Sequence, residues 1–272
     1  MEKEKMTGYK FVKPILGNFY KFWYNPKVIG AENIPEDGPI VVAGNHVHIM
    51  DQCNVIIATK RCLHYMAKKE YFDGKFAFFF KAVGCIPVDR SKKDEAATAS
   101  ALEVLRIKQA LGIFPEGTRN GLKEDRIKEL YEEYMKDKME YEEFFKKIKK
   151  NKRSFVEYLE ELMKNKIITK EEFLDNMTNA NKYLEDLIVE KRITKEEYFD
   201  HILLPLKFGA VSLASKTDAK IVPYAITGDY KFRSKNLVVR IGKPIKPNKD
   251  LAKANEELDK AIKALIKENL KK

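Results

Sequence analysis

Apolar positions along this chain follow two rhythms. Between residues 25 and 121, and again from 203 onward, short β-branched runs alternate with stretches of helical period. "PIVVAG" (39–44) follows the turn signal "PEDG" and reads as a buried strand, and "DQCNVIIATK" (51–60) reads as a helix with Asp51 near its start. "LHYMAK" (63–68) and "CIPVDR" (85–90) are further strands, on either side of a short apolar helix in "KFAFFFKAVG" that Gly84 ends. "SKKDEAATASALEVLRIKQA" (91–110) is alanine-rich and helical, with Ser91 or Asp94 as its cap, and "LGIFPEGTRN" (111–120) is a strand running into a glycine turn. "LLPLKFGAVSLASKT" resumes with a helix, "AKIVPYAITG" and "NLVVRIGKPI" read as two strands, and the last twenty or so residues form an amphipathic, lysine-rich helix. Strands separated by helices predict an α/β fold with a mainly parallel sheet flanked by helices, whose ligands sit beyond the carboxyl ends of the strands. "GNHVHIMD" and "PEGTRN" both fall at such ends.

Residues 122–202 break this pattern. Glycine and proline are absent, Glu, Lys, Tyr and Leu dominate, and the period is helical throughout, which predicts an all-helical insertion dividing a core of 25–121 and 203–272. "NKIITKEEFLDNM" (165–177) recurs as "EKRITKEEYFDHI" (190–202), and "DKMEYEEFFKKI" (137–148) is a weaker third copy. In the two closer copies Thr169 and Thr194 stand three before Glu172 and Glu197, the spacing of a capping box that starts a helix. Each unit therefore reads as a small helical hairpin, and it resembles the short "I-T-x-E-E-F" modules attached to many bacterial proteins. The insertion is expected to be an auxiliary bundle without chemistry; a lid, partner or membrane contact is its functional alternative.

Charge changes the picture by its distribution. The formal net charge of the 272 residues is +11, yet residues 122–202 hold 18 Lys and Arg against 21 Asp and Glu, so the remainder carries 34 against 20. The basic body favours anionic partners: phosphate esters, membrane surfaces or nucleic acid. Cys53, Cys62 and Cys85 show no CxxC pairing, and an odd number suits reduced core thiols rather than a disulfide scaffold. No apolar run approaches the roughly 18 residues of a spanning helix, and the first residues lack the apolar core of a secretory signal. "YKFVKPILGNFYKFWY" (9–24) mixes aromatic, aliphatic and basic residues as interfacial segments do and holds the one tryptophan, Trp23. Residues 1–24 are thus expected to form an amphipathic segment with either lipid or the protein core as its apolar partner. A cytoplasmic protein, peripheral on the membrane face, is the expectation.

The order of "NHVHIMD", "AKKEYF", "GCIPVDR", "FPEGTRN" and "IVPYAITG" resembles the glycerolipid acyltransferase family, whose members acylate lysophosphatidic acid. The family's first motif is histidine, four residues, then aspartate, met here by His46 and Asp51. Its second ends in an arginine after a short strand, matched by Arg90. Its third is matched letter for letter by Phe114, Pro115, Glu116, Gly117, Thr118 and Arg119, and its fourth is an apolar strand with a central proline, here Pro223. Four motifs in order make the likeness specific, over roughly residues 25–120 and 203–247. Two positions depart from the pattern: the family usually carries a small or polar residue where His48 stands, and it runs from the Glu-Gly-Thr-Arg turn to "LLPLKFGA" within about a dozen residues.

The residue chemistry agrees with that likeness. On one continuous helix Asp51 would face His48, three positions away; across a strand-to-helix turn His46 becomes its partner instead. Esterifying an alcohol with an acyl thioester needs a base for the hydroxyl proton, and imidazole, with an ordinary pKa near 6.5, suits that role near neutral pH. His46 is the expected base, with Asp51 on the other ring nitrogen to fix the tautomer and steady the imidazolium. Arg90 and Arg119 are expected to clamp a phosphate, with Lys68 or Lys69 adding a third charge. Gly117 permits close backbone approach, so its neighbourhood is expected to supply amide donors to the acceptor or to the oxyanion, with Thr118 beside it among the substrate-binding residues, while Glu116 either binds a glycerol hydroxyl or holds an arginine. His-x-His with a carboxylate is also a metal pattern, but Met50 and Asp51 stand where binuclear hydrolases need Asp and His, so no metal is expected and His48 is read as a wall residue. No resident cofactor is implied. The resemblance implies phosphatidic acid made from lysophosphatidic acid, with acyl-CoA or acyl carrier protein as donor; a different lysophospholipid or glycerol 3-phosphate as acceptor, or a non-catalytic membrane-binding module, are the alternatives. Charge alone also fits nucleic acid, but the body has no recognised reader motif, and none is expected to bind.

Overall fold

The apolar run after the "PEDG" turn lies at the middle of a seven-stranded sheet. The computed structural model describes residues 7–89, 91 and 94–271. In chain order the elements are α1 (Thr7–Tyr24), β1 (Lys27–Ile29), β2 (Ile40–Gly44), α2 (Asp51–Ala58), β3 (Leu63–Lys68), α3 (Ala77–Ala82), β4 (Ile86–Val88), α4 (Glu95–Arg106) and β5 (Ala110–Ile113). Then follow α5 (Glu124–Leu130), α6 (Tyr141–Ile148), α7 (Arg153–Lys164), α8 (Lys170–Asn176), α9 (Ala180–Val189) and α10 (Lys195–Asp200). The chain ends with α11 (Gly209–Thr217), β6 (Lys220–Thr227), β7 (Val238–Ile241) and α12 (Leu251–Leu270). It divides into two compact units, one of Met1–Gly117 with Leu206–Lys272 and the other of Thr118–Pro205.

In the first unit the strand order is β1-β7-β6-β2-β5-β3-β4. Every neighbouring pair is parallel except β6 with β7. This is the mainly parallel α/β sheet that the alternating pattern predicts. All five residues of β2 are buried, as a central strand covered on both faces requires. β1 has no counterpart among the predicted strands: three residues carry no readable period, and only pairing with β7 makes them a strand. Gly112 on β5 makes room for the Tyr65 ring, since a Cβ there would lie 2.3 Å from that ring. Asp94 rather than Ser91 caps α4, taking the Ala97 N–H at 2.9 Å, and its second oxygen takes the Asp89 N–H at 2.8 Å.

Helix α1 packs one face on the protein core and leaves its other face exposed. Tyr9 and Tyr20 are buried against the body, whereas Phe11 and Phe19 are 70% and 60% exposed. No helix among the described residues is long and apolar enough to cross a membrane.

The second unit is all helical. Both predicted capping boxes are present, with Thr169 and Thr194 each accepting a backbone N–H three residues on while Glu172 and Glu197 reach back. Ile168 and Phe173 are buried at the staple positions flanking the first box, as are Ile193 and Tyr198 at the second. The weaker copy has Glu140 at the capping position and no side-chain cap. In chain order the first copy is followed by α7 and the second by α9, whereas the last copy stops after the single helix α10.

Candidate active site

Beyond the last residue of β2 the backbone turns away from the sheet, and Asn45 replaces it. Its amide donates to the Ile226 carbonyl at 2.9 Å and accepts the Ile226 N–H at 2.7 Å, continuing the pairing with β6 by a side chain. The direction of the chain is thereby set just before His46. Asp51 opens α2, and its fully buried carboxylate points back at that loop. Oδ2 accepts His46 Nδ1–H at 2.8 Å, the Val47 N–H at 2.6 Å and the His48 N–H at 2.7 Å. Oδ1 accepts the Tyr230 hydroxyl at 2.5 Å. Four donors offset the loss of water that a buried carboxylate would otherwise suffer.

Asp51 therefore serves both histidines, but unequally: the imidazole of His46 and only the backbone of His48. The strand-to-helix turn, not helical spacing, decides the partner. With Nδ1 donating to Asp51, Nε2 of His46 is the basic nitrogen. The ring stacks on Phe114, centroids 3.9 Å apart and planes 13° apart, and the His46 N–H donates to Glu116 Oε1 at 2.7 Å. Glu116 is buried, and through this bond one of its oxygens holds the loop that carries His46. His48 stacks on Tyr230 at 4.0 Å.

His46 lines a pocket of about 350 Å³ together with Asp89, Asp94, Phe114, Gly117 and Lys207. It lies beyond the carboxyl ends of β2, β4 and β5, where a parallel sheet places its ligands. Gly117 adopts φ 71°, and a Cβ there would sit 2.9 Å from Lys207 Cε, so the close approach this glycine permits is that of a lysine. The Gly117 N–H is engaged by the Phe114 carbonyl at 2.9 Å, and the Lys207 N–H donates to the Pro115 carbonyl at 2.8 Å. In the sequence Lys207 carries only a weak signal, a lysine just before the Gly209 start of α11. Of the expected phosphate ligands, Lys68 is half-exposed at the end of β3 with Nζ 3.5 Å from Glu70, and it does not line this pocket. Thr118 and Arg119 open the second unit, where the Arg119 carbonyl accepts the Gly121 N–H at 2.8 Å. Arg90 lies outside the described residues.

A second cavity in the same unit, of about 580 Å³, is walled mainly by apolar residues of α1, α2 and α3, among them Val12, Leu16, Ile56 and Phe80. Tyr65 lines it and packs on Phe114, which lines the first pocket. Cys53 and Cys85 also line it; burial pushes their thiols up to about 12 and about 11, so neither is a thiolate near neutral pH. Among the described residues no group of three or more His, Cys, Asp or Glu is arranged to hold a metal ion.

The acyltransferase family model matches residues 25–227, which takes in β1 to β6 and the helical unit and stops before β7. The chain belongs to the acyltransferase family. Two similar members are the 1-acyl-sn-glycerol-3-phosphate acyltransferases of Bacillus subtilis, 33% identical over 113 residues, and of Borreliella burgdorferi, 38% identical over 97. Those alignments take in 41% and 34% of this chain and 57% and 38% of the relatives, so the match spans about half their length. In fold, this acyltransferase-family chain is similar to the crystal structure of the 1-acyl-sn-glycerophosphate (LPA) acyltransferase PlsC from Thermotoga maritima. The TM-score is 0.58 at 15% identity, covering 100% of this chain and 86% of the other.

Proposed function

We propose that this protein transfers a fatty acyl group from an acyl thioester to the sn-2 hydroxyl of 1-acyl-glycerol 3-phosphate. The reading rests on one observation above all: His46 Nδ1 bonded at 2.8 Å to a fully buried Asp51, in a pocket at the strand ends. Nε2 takes the proton of the acceptor hydroxyl as its oxygen attacks the thioester carbonyl. The new C–O bond forms, the C–S bond breaks, and the imidazolium returns its proton to the leaving thiolate. Asp51 steadies the imidazolium throughout. No acyl-enzyme is required, in keeping with the protonated state of the two buried thiols.

Lys207 sits in the pocket with His46 and is the side chain we assign first to the acceptor's phosphate, with Arg119, Arg90 and Lys68 as further candidates. The apolar cavity behind Tyr65 suits an acyl chain. The donor is acyl-CoA or acyl carrier protein, and the exposed aromatic face of α1 supports peripheral contact with a membrane surface. A donor-by-acceptor panel with purified protein, read by mass spectrometry, tests the assignment. His46→Ala should lower turnover by roughly two to four orders of magnitude with the fold intact; near-normal turnover by that variant would reject the mechanism.

A further inference from the structure

Asp51 Oδ1 faces away from the histidines, toward a side chain 179 residues distant in sequence. We propose that Tyr230 is a positioning residue for the His46–Asp51 pair, held in place by Asn54 of α2 and Tyr20 of α1. This rests on the acyl-transfer reading above and adds to it a chain of three hydrogen bonds. The Tyr20 hydroxyl donates to Asn54 Oδ1 at 3.0 Å, Asn54 Nδ2 donates to the Tyr230 hydroxyl at 2.7 Å, and that hydroxyl donates to Asp51 Oδ1 at 2.5 Å.

The three bonds run in one direction and each fixes the next. Were the Asn54 amide turned over, its oxygen would demand the Tyr230 proton and leave two oxygens facing each other at Asp51. Burial first, and then the Asp51 charge, raise the Tyr230 phenol far above its ordinary value, so it is protonated and can only donate to the carboxylate. Its ring is clamped as well, stacked on His48 and meeting Tyr24 edge-on at 5.5 Å. Without this donor, Oδ1 of a buried carboxylate loses its partner, and the tilt of the carboxylate toward His46 rests on the Val47 and His48 N–H groups at Oδ2 alone. A carboxylate held at Oδ1 presents Oδ2 to the imidazole in one geometry, which the turnover step needs. The link also ends on α1. The helix whose outer face is exposed and aromatic is joined through Tyr20 to the catalytic carboxylate.

Tyr230→Phe keeps the ring contacts and removes only the donor. It should lower kcat about tenfold with KM changed less than about twofold, and in an Asp51→Asn background the same change should alter kcat by less than about twofold. A purely structural hydroxyl would cost the same factor in both backgrounds, and that result would overturn the proposal. An independent reading needs no turnover: the low-field proton resonance of His46 Nδ1–H, assigned by its loss in His46→Ala, should shift or broaden in Tyr230→Phe. An unchanged resonance would also overturn it. Tyr20→Phe should move the signal in the same direction by less, and it decides the matter if thermal unfolding shows that Tyr230→Phe does not fold. If His46→Ala retains turnover, the acyl-transfer reading falls while the proton resonance still decides the role of Tyr230.

Discussion

At the scale of single residues, Glu116 takes on a role beside the two expected for it. Its Oε1 accepts the His46 N–H at 2.7 Å, so it fixes the backbone from which the imidazole projects. A carboxylate that bound the acceptor would act on KM, whereas one that positions the base acts on kcat. Glu116→Ala should therefore lower kcat by about tenfold or more and leave KM nearly unchanged, besides lowering the melting temperature by leaving a buried N–H unpaired. Steady-state kinetics with thermal unfolding separate the two roles, and a raised KM at unchanged kcat would return Glu116 to the substrate. Sequence made His46 and Asp51 legible because both lie in one stretch of ten residues that crosses a strand end. It left Asn45, Tyr230 and Lys207 unread, since their meaning lies in contacts with Ile226, Asp51 and Gly117, each far along the chain and brought near only by the sheet order.

At the scale of elements, strands buried on both faces were readable from their apolar runs, and β1 was not, because its stability comes from its partner rather than its composition. Gly112 belongs to this scale: β5 is narrow there so that the Tyr65 ring can lie across it. Gly112→Ala should destabilise the first unit by about 1–3 kcal/mol in chemical denaturation, as overpacking of a filled core does. In the helical unit the two Thr-Glu boxes differ in one respect. Glu172 also receives the Arg192 guanidinium, and this bond first, then the Thr169 N–H, hold its carboxyl down at about 2. A carboxyl lowered on folding contributes stability that is fully present above its unfolded value of 4.5 and is lost as pH falls toward about 2. Amide exchange across 165–192 should accelerate through that window in the native protein, and Glu172→Gln should remove most of the pH dependence. A profile identical in the two proteins would show that the pair adds nothing. Thr194→Ala, which removes the other cap, should cost about 1 kcal/mol and less as the medium becomes acidic, because the Thr194 N–H and then its hydroxyl hold the Glu197 carboxyl below its ordinary value.

At the scale of the whole molecule, the positive charge and the exposed apolar residues point to one kind of surface. The chain outside 122–202 carries the excess of Lys and Arg, and α1 sets Phe11, Ile15, Phe19 and Phe22 outward, joined by Phe232, whose ring meets Trp23 edge-on at 5.0 Å. Aromatic and aliphatic side chains at the helix surface with Lys10 and Lys21 among them are what an interfacial helix needs: apolar area to leave water and cations to meet lipid phosphates. Trp23 is the sole tryptophan and is 41% exposed, so its fluorescence reports this face alone. Its emission should shift to the blue on adding vesicles that contain anionic phospholipid, less so at high salt, where the charge contribution is screened. Phe11→Glu with Ile15→Glu leaves the rings next to Trp23 in place and should weaken vesicle partitioning at least about tenfold, since each change removes buried apolar area and adds a charge that anionic lipid repels. Partitioning unchanged by the pair would mean that the face meets protein rather than lipid. Because Tyr20 lies on the opposite side of the same helix and is bonded to Asn54, a vesicle-bound protein should also show the His46 Nδ1–H resonance with slower exchange than the protein free in solution.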